Sequence, residues 1–337
     1  MLKNNESEKI LLRENKNKRL IIFTLLILAI ASFLISNCIG SVNISVKDIV
    51  FSILGKSTSA NEQIIKNIRL PRAILSVLVG TNLALSGCIL QGIMHNPLAD
   101  PHIIGVSSGA GLLGIIILII FPEKIDLLPI VAFIGAMGAA MLIYALAWKR
   151  GINTVRIILA GVAVSTLLGA GISAIMVFYS DKVHGALMFM NGGLSGRSWP
   201  YVKIILPYTI FGLICCMLFS EKLNILTLGD DVARSLGLNV ELSRIGFTAL
   251  AAILAASAVS VAGLLGFVGL IVPHICRMIL GSNHKYLFPS TAFLGAIILS
   301  LSDTVARVAF SPKEIPVGVI MALLGAPFFL YLLRKEI

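Results

Sequence analysis

Long runs of apolar residues recur along this chain, and their length is the feature that most constrains its fold. The runs approach or exceed the about 20 residues that an α-helix needs to cross the hydrocarbon core of a bilayer. Backbone polar groups in lipid must be satisfied within the chain, and the runs lack the alternation of barrel strands. Of the 337 residues, 57% are hydrophobic and 13% are charged. The sequence therefore predicts an all-α polytopic membrane protein.

Breaks in hydropathy, charged residues and the positions of Gly and Pro divide the chain into about ten predicted transmembrane helices. The predicted spans are 20–37, 73–93, 104–121, 127–148, 157–178, 202–220, 243–262, 265–280, 287–307 and 316–333. We expect a cytoplasmic N-terminal tail at 1–19, one transmembrane domain over 20–333, and a cytoplasmic C-terminal tail at 334–337. In this orientation Lys and Arg are more numerous on the cytoplasmic side. That bias explains the net charge of +11 without a nucleic-acid partner.

The first apolar run follows a basic segment, which is also the pattern of a signal peptide. The run continues from Leu20 through Leu34, with no convincing small-x-small cleavage site before Cys38. We therefore expect the run to be retained as the first span. The five cysteines show no C-x-x-C spacing, which favours small buried hydrophobic side chains over a metal or redox site.

Two short segments resemble parts of nucleotide- or diphosphate-binding motifs. Gly55-Lys56-Ser57-Thr58 ends like a phosphate-binding loop, but Val50 stands where that loop requires a glycine. Asp230-Asp231 resembles the start of an aspartate-rich Mg²⁺ site, but Arg234 occupies the third acidic position. The sequence therefore argues against ATP hydrolysis or prenyl transfer by this chain.

Two functions from other classes stay open on the residues alone. Gly193-Leu194-Ser195-Gly196 matches the G-x-S-G motif of rhomboid-type intramembrane proteases, and His184 or His274 could supply the base that a serine nucleophile needs. The bland interpretation is a glycine-rich turn at the membrane edge. An ion-coupled secondary transporter would need carboxylates in mid-span, whereas the only acid placed within a span is Asp303, near its end.

Two of the predicted spans contain polar side chains whose positions predict local helix structure. The segment from Gly263 to His274 is short, rich in glycine and interrupted by Pro273, which predicts a kinked or broken helix. We expect His274 to be packed and bonded to a carbonyl that the proline frees, rather than to bind a metal. Asp303 and Arg307 are four residues apart, so they are predicted to pair across one helical turn.

The loop from Glu221 to Arg244 is the most informative soluble element. Gly229 to Gly237 reads as a short helix with acidic residues at its N-terminus and a glycine at its end. Leu226, Val232 and Leu236 leave apolar side chains on a helix too short to be stable alone. This pattern predicts a surface for a partner protein, and the alternative is a helix lying on lipid.

Several motifs occur in one order along the chain. They are Arg69-Leu70-Pro71-Arg72, Ser86-Gly87 with Gln91, Asn96-Pro97-Leu98-Ala99-Asp100-Pro101, Gly105 with Ser108-Gly109-Ala110, Leu159-Ala160-Gly161-Val162, Gly266 to His274, Asp303 to Arg307, Pro316 to Val319 and Gly325 to Phe329. An acidic-x-Ala-x3-Gly pattern lies at Asp231, Ala233 and Gly237. Together these motifs resemble the FecCD or vitamin B12-type ABC transporter permeases, which import iron–siderophores, haem or cobalamin. The resemblance extends from about residue 45 to 334.

The resemblance implies a type II ABC importer permease fold in the cell membrane. It implies a homodimer, or a pseudo-dimer with a paralogue, whose pathway lies at the subunit interface. Two ATPase subunits would bind the cytoplasmic face, and a substrate-binding protein would bind the outer face. ATP and Mg²⁺ would belong to the ATPase, so this chain would bind no cofactor and would be a transport subunit rather than an enzyme. Iron–siderophore is the first expected substrate, with haem and cobalamin as alternatives.

The resemblance also assigns roles to three sets of residues. Arg69, Arg72 and Arg307 would meet glutamates of the binding protein at a solvent-exposed rim, where charge pairs steer docking. The coupling helix to the ATPase would comprise Asp230, Asp231, Val232, Ala233, Arg234, Leu236 and Gly237. The cytoplasmic gate would comprise Asn96, Pro97 and Leu98 together with Thr154 and Val155. ATP binding would move the coupling helix and shift the permease between inward- and outward-facing states.

Overall fold

The structure is a computed structural model that describes residues 2–40, 45, 47, 49, 62–148 and 154–336. Twelve helices make up most of the described chain: α1 (Leu2–Cys38), α2 (Leu70–Met94), α3 (Val106–Ile120), α4 (Leu128–Ala147), α5 (Thr154–Phe178), α6 (Val183–Met190), α7 (Trp199–Leu226), α8 (Asp230–Ser235), α9 (Val240–Ala262), α10 (Val268–Leu280), α11 (His284–Val308) and α12 (Val317–Glu336). Glu62–Ile64 and a π-helical turn, Ile65–Arg69, lead into α2. Short 3₁₀ turns lie at Pro101–Ile104, Pro122–Leu127 and Ser180–Lys182.

Every predicted span falls on one of these helices, so the all-α prediction is confirmed. Within the described ranges, seven helices are long and apolar enough to cross a membrane. Three shorter apolar helices, at Val106–Ile120, Val268–Leu280 and Val317–Tyr331, coincide with the remaining predicted spans. The two helices outside the predicted spans, α6 and α8, are short connections.

Helix α2 forms the centre of the bundle. Its apolar window is 89% buried, against 17% for α1 and 22% for α5. Glycines allow α2 to approach its neighbours closely, because a Cβ on Gly80 would lie 2.3 Å from the Gly295 carbonyl oxygen on α11. A Cβ on Gly87 would lie 1.9 Å from the Gly269 carbonyl oxygen on α10. Lipid supplies no hydrophobic force between helices, so such close backbone packing holds the spans together.

The predicted break near Pro273 is present. Helix α9 ends at Ala262 and α10 begins at Val268. Pro273 has no N–H and so leaves the Gly269 carbonyl of α10 without its helical donor. Gln91 of α2 donates from Nε2 to this oxygen at 3.2 Å. The ring of His274 packs edge-on against Phe328, with centroids 6.0 Å apart, and its expected bond to a freed carbonyl stays a prediction.

Candidate docking, coupling and gate sites

A buried ion pair joins α2 to α11 at the end of the bundle that carries Arg72, which we call the arginine end. Arg72 lies in the first turn of α2, and Asp303 lies in the last turns of α11. Nη2 of Arg72 is 3.0 Å from Oδ1 of Asp303, and Nε is 3.0 Å from Oδ2. Asp303 is 0% exposed and Arg72 is 7% exposed. A buried carboxylate is tolerated here because a bidentate guanidinium compensates its charge.

Arg307 completes this pair from the same helix as Asp303. Its Nε lies 3.2 Å from Oδ2 of Asp303, which confirms the predicted contact across one turn. Its Nη2 donates to the Ser36 carbonyl at 2.8 Å, and its Nη1 donates to the Ile39 carbonyl at 3.2 Å. Arg69 donates from Nη1 to the carbonyl of Asn37 at 2.9 Å. Both arginines therefore bond carbonyls at the end of α1 that have no partner within that helix.

The three arginines that were predicted to form a solvent-exposed rim are buried. Arg69, Arg72 and Arg307 are 5%, 7% and 9% exposed, because each side chain points into the contact between α1, α2 and α11. Their contribution to docking stays a prediction. In the described structure they hold three helices together.

Glu314 is the outer member of this cluster, and it was not among the residues predicted from the sequence. It accepts from Nη1 of Arg72 at 2.8 Å, and its side chain is 40% exposed. Burial raises its pKa, but the hydrogen bond and charge of Arg72, with a hydrogen bond from Ser195, lower the pKa by more. Glu314 is the only acidic residue in the segment 309–316 between α11 and α12, which is the signal that could have identified it.

Ser195, the serine of the G-x-S-G motif, lies beside Glu314. A hydrogen bond from its side chain helps to lower the pKa of this carboxyl group. Both residues line a cleft of about 420 Å³ at the arginine end, together with Arg72 and Arg197. Gly192 and Gly196, on either side of Ser195, have φ of 67° and 70°. The motif thus forms the glycine-rich turn that was the bland interpretation.

The predicted coupling helix is present as α8, at the opposite end of the bundle, which we call the short-helix end. Gly229 and Gly237 flank it with φ of 101° and 80°. Both oxygens of Asp230 accept from Arg244 of α9, at 2.8 Å and 3.1 Å. Ala233 is 0% exposed and anchors the helix. This ion pair and the buried methyl group therefore help to hold the helix in place.

An apolar patch covers the outer side of α8. Leu228 is 60% exposed, Val232 is 45% exposed and Leu236 is 59% exposed. Leu226, expected to share this surface, is 1% exposed because it packs into the bundle core. Asp231 and Arg234 flank the patch and lie 3.5 Å apart. Apolar side chains rimmed by charges are typical of a surface for another protein.

The predicted gate turn follows α2 at the short-helix end. Oδ1 of Asn96 accepts from the Leu98 N–H at 2.9 Å, and its carbonyl accepts from the Ala99 N–H at 3.1 Å. These bonds make a rigid turn around Pro97. Of the second gate segment, α5 begins at Thr154, whose side chain lies outside the described part of the chain. Val155, in the first turn of that helix, is 62% exposed.

One face of α5 lacks cover within the described chain. Its apolar window is 22% buried. One row of exposed positions recurs every three or four residues: Val155, Leu159, Val162, Thr166, Ala170, Ser173 and Val177. Ala163, Leu167, Ala174 and Phe178 are exposed beside this row. The spacing of the row places its members along one side of the helix. Small and apolar residues of this kind allow two transmembrane helices to pack closely.

A helical membrane bundle with a short exposed helix at one end and an ion-paired cluster at the other has the architecture of a transporter permease. The chain belongs to the FecCD transport family, whose model matches residues 26–335. Members of this family are ABC-transporter permease subunits, and a separate ATPase hydrolyses ATP. The protein is therefore a multi-pass transport subunit that works with an ATPase and a binding protein, and not an enzyme.

Curated relatives and a solved structure agree with the family. The chain is 41% identical to the Fe(3+)-citrate import system permease protein YfmE of Bacillus subtilis (strain 168), over 96% of this chain and 97% of that protein. It is 43% identical to the cobalamin import system permease protein BtuC of Halobacterium salinarum, over 81% of this chain and 74% of that protein. The fold matches an inward-facing putative metal-chelate type ABC transporter with a TM-score of 0.83 and 31% identity, over 94% of this chain and 99% of that chain.

Proposed function

We propose that this chain forms the translocation pathway of an ABC importer for a ferric chelate, such as ferric citrate or an iron–siderophore. The observation that carries this substrate class is the 41% identity with the Fe(3+)-citrate permease YfmE over nearly the full length of both chains. An iron(3+)-hydroxamate permease, FhuG of Bacillus subtilis (strain 168), is 36% identical over 96% of this chain. Within the described residues no group of three His, Cys, Asp or Glu side chains could hold bare iron. The cargo in this proposal is an intact chelate.

Two ATPase subunits, in this proposal, bind the short-helix end. The support is the apolar patch of Leu228, Val232 and Leu236, which a soluble partner would remove from water. The bidentate pair between Asp230 and Arg244 would transmit a displacement of α8 to α9, because two hydrogen bonds fix the orientation of the carboxylate relative to the guanidinium group. The binding protein docks at the arginine end, and both chain termini are cytoplasmic.

The exposed face of α5 supports a homodimer, or a pseudo-dimer with a paralogue, in which two such faces enclose the pathway. Val155 and Thr154 begin this helix, so the face leads from the predicted cytoplasmic gate into the membrane. The exposed side chains carry no formal charge and offer few strong contacts. A chelate would thus pass without being held, and alternating access would follow the ATPase cycle.

The decisive experiment is uptake in a strain that lacks this gene. Cells complemented with the parental chain or with Leu236→Asp are given ⁵⁵Fe-citrate, a ⁵⁵Fe-hydroxamate siderophore, haem or labelled cobalamin. We expect the parental chain to restore uptake of a ferric chelate and Leu236→Asp to fail, although it reaches the membrane in equal amount. Restoration of cobalamin or haem uptake alone would overturn the assigned substrate class.

A further inference from the structure

His95, the residue that follows α2, has a backbone conformation that is energetically unfavourable for any residue with a side chain. Its φ is 50° and its ψ is 35°, in the left-handed region. Glycine is the usual residue where a helix ends in this way. Among the described residues other than glycine, only His95 and Phe267 have positive φ. A histidine at this position therefore suggests that its ring has a use.

The ring of His95 reaches the end of another helix. Its Nε2 lies 3.1 Å from the carbonyl oxygen of Leu226, the last residue of α7. A carbonyl can only accept, so Nε2 carries the proton. The same oxygen accepts from the Gly229 N–H at 3.2 Å, and Gly229 is the N-cap of α8. One oxygen atom thus joins the ring after α2 to the residue that starts α8.

On its other side, His95 is built into the gate turn. Its own N–H bonds the carbonyls of Gln91 and Gly92, and the Asn96 N–H bonds that of Gln91 at 3.3 Å. Asn96 in turn holds Leu98 through its side chain at 2.9 Å. A turn bonded at each step moves as a unit. A displacement of the Leu226 carbonyl would therefore reach Leu98 through the His95 ring.

We propose that His95 is a positioning residue that couples movement of α8 to the gate turn Asn96–Leu98. This inference rests on the proposed function, because it requires an ATPase that moves α8. If His95 only ended the helix, glycine would serve better. A coupling role, by contrast, requires the ring and its hydrogen bond to the Leu226 carbonyl.

The test measures gate movement in the complete complex with its ATPase, in lipid nanodiscs. Leu98→Cys serves as the reporter, in a chain whose half-buried cysteines Cys38 and Cys215 are replaced by alanine. Its labelling rate with a water-soluble maleimide is measured with and without ATP and vanadate. His95→Gly keeps the backbone conformation and removes the ring, whereas His95→Gln keeps a donor. His184→Ala, an exposed histidine of α6 at the arginine end, is the control.

We expect His95→Gly to fold and to hydrolyse ATP at the parental rate within about twofold. Its ATP-dependent change in labelling should fall, because the loss of one hydrogen bond changes the equilibrium constant of gate movement by about fivefold. His95→Gln should recover at least half of the change, and His184→Ala should match the parent. An unaltered change in His95→Gly would overturn the inference alone. No ATP dependence in the parent would overturn the proposed function and this inference with it.

Discussion

Arg72 and Asp303 are 231 positions apart in the sequence, yet the Arg72 guanidinium donates two hydrogen bonds of 3.0 Å to the Asp303 carboxylate. Asp303 is shared, because Arg307 reaches the same carboxylate at 3.2 Å. One buried carboxylate is thus shared by two buried guanidinium groups, and Glu314 supplies a second carboxylate to Arg72 at 2.8 Å. The pair fixes the start of α2 against the end of α11 at the arginine end.

Removing this shared carboxylate should destabilise the protein strongly. Asp303→Ala leaves Arg72 and Arg307 buried without it, which typically costs about 3–5 kcal/mol. Unfolding of the purified protein in detergent, followed by helix content against denaturant, measures the loss. Glu314→Ala is the matched control, because that side chain is 40% exposed and should cost at most about 1 kcal/mol. Equal losses in both variants would contradict a structural role for the buried pair.

The outer ion pair should make stability depend on pH. The pKa of Glu314 is lowered in the folded protein: burial raises it, but Arg72 lowers it by more. The stabilisation is therefore complete above the ordinary pKa of 4.5 and is lost as the pH falls through the lower folded value. Thermal unfolding should separate the parent from Glu314→Gln at pH 7, and the gap should close below pH 4.5. A gap that persists in acid would show that Glu314 acts through packing instead.

Close packing between α2 and α10 should tolerate no side chain at Gly87. A Cβ there would lie 1.9 Å from the Gly269 carbonyl oxygen, so Gly87→Ala must push the helices apart. We expect a loss of about 1–3 kcal/mol or more in detergent unfolding. Gly138→Ala on α4 is the control, because its Cβ would meet nothing within 4 Å. If both variants are equally stable, the helices are not in contact at Gly87.

The end of α8 should be sensitive to backbone strain rather than to bulk. Gly237 has a φ of 80°, and a Cβ there would meet nothing within 4 Å. Gly237→Ala therefore adds about 1 kcal/mol of strain without a clash, and it should shift α8. In vesicles containing the full complex we expect less substrate taken up per ATP hydrolysed. Gly246→Ala, an equally open glycine within α9, should leave this ratio unchanged.

The exposed face of α5 should meet a second subunit. Thr166 lies on that face and Val164, 5% exposed, lies on the side packed against the bundle. In membranes, Thr166→Cys should form covalent dimers with a short thiol cross-linker, whereas Val164→Cys should not. Dimers from both variants would indicate random collision. Dimers from neither would argue against a symmetric contact through α5.

The spans could be read from the sequence because the length of an apolar run is a local property. All ten predicted positions fall on helices, and the short helix after Gly229 was also visible from its acidic start and its glycine end. The contact of Asp303 with Arg307 was predictable for the same reason, since four residues make one turn. Most helix ends differed by a few residues where polar turns continue the helix beyond the apolar run, whereas α1 begins at Leu2, 18 residues before its predicted span at residue 20.

What the sequence could not supply was which side chains meet across the bundle. The resemblance placed Arg69, Arg72 and Arg307 on an exposed rim, but they are buried against the end of α1 and against Asp303. Similarly, the bond from Gln91 to the carbonyl freed by Pro273 was not predicted. The sequence by itself determined the membrane-spanning class, the helices and the family motifs. Only the tertiary structure decided the burial and pairing of polar groups, because these depend on residues tens to hundreds of positions apart that the fold brings within hydrogen-bond distance.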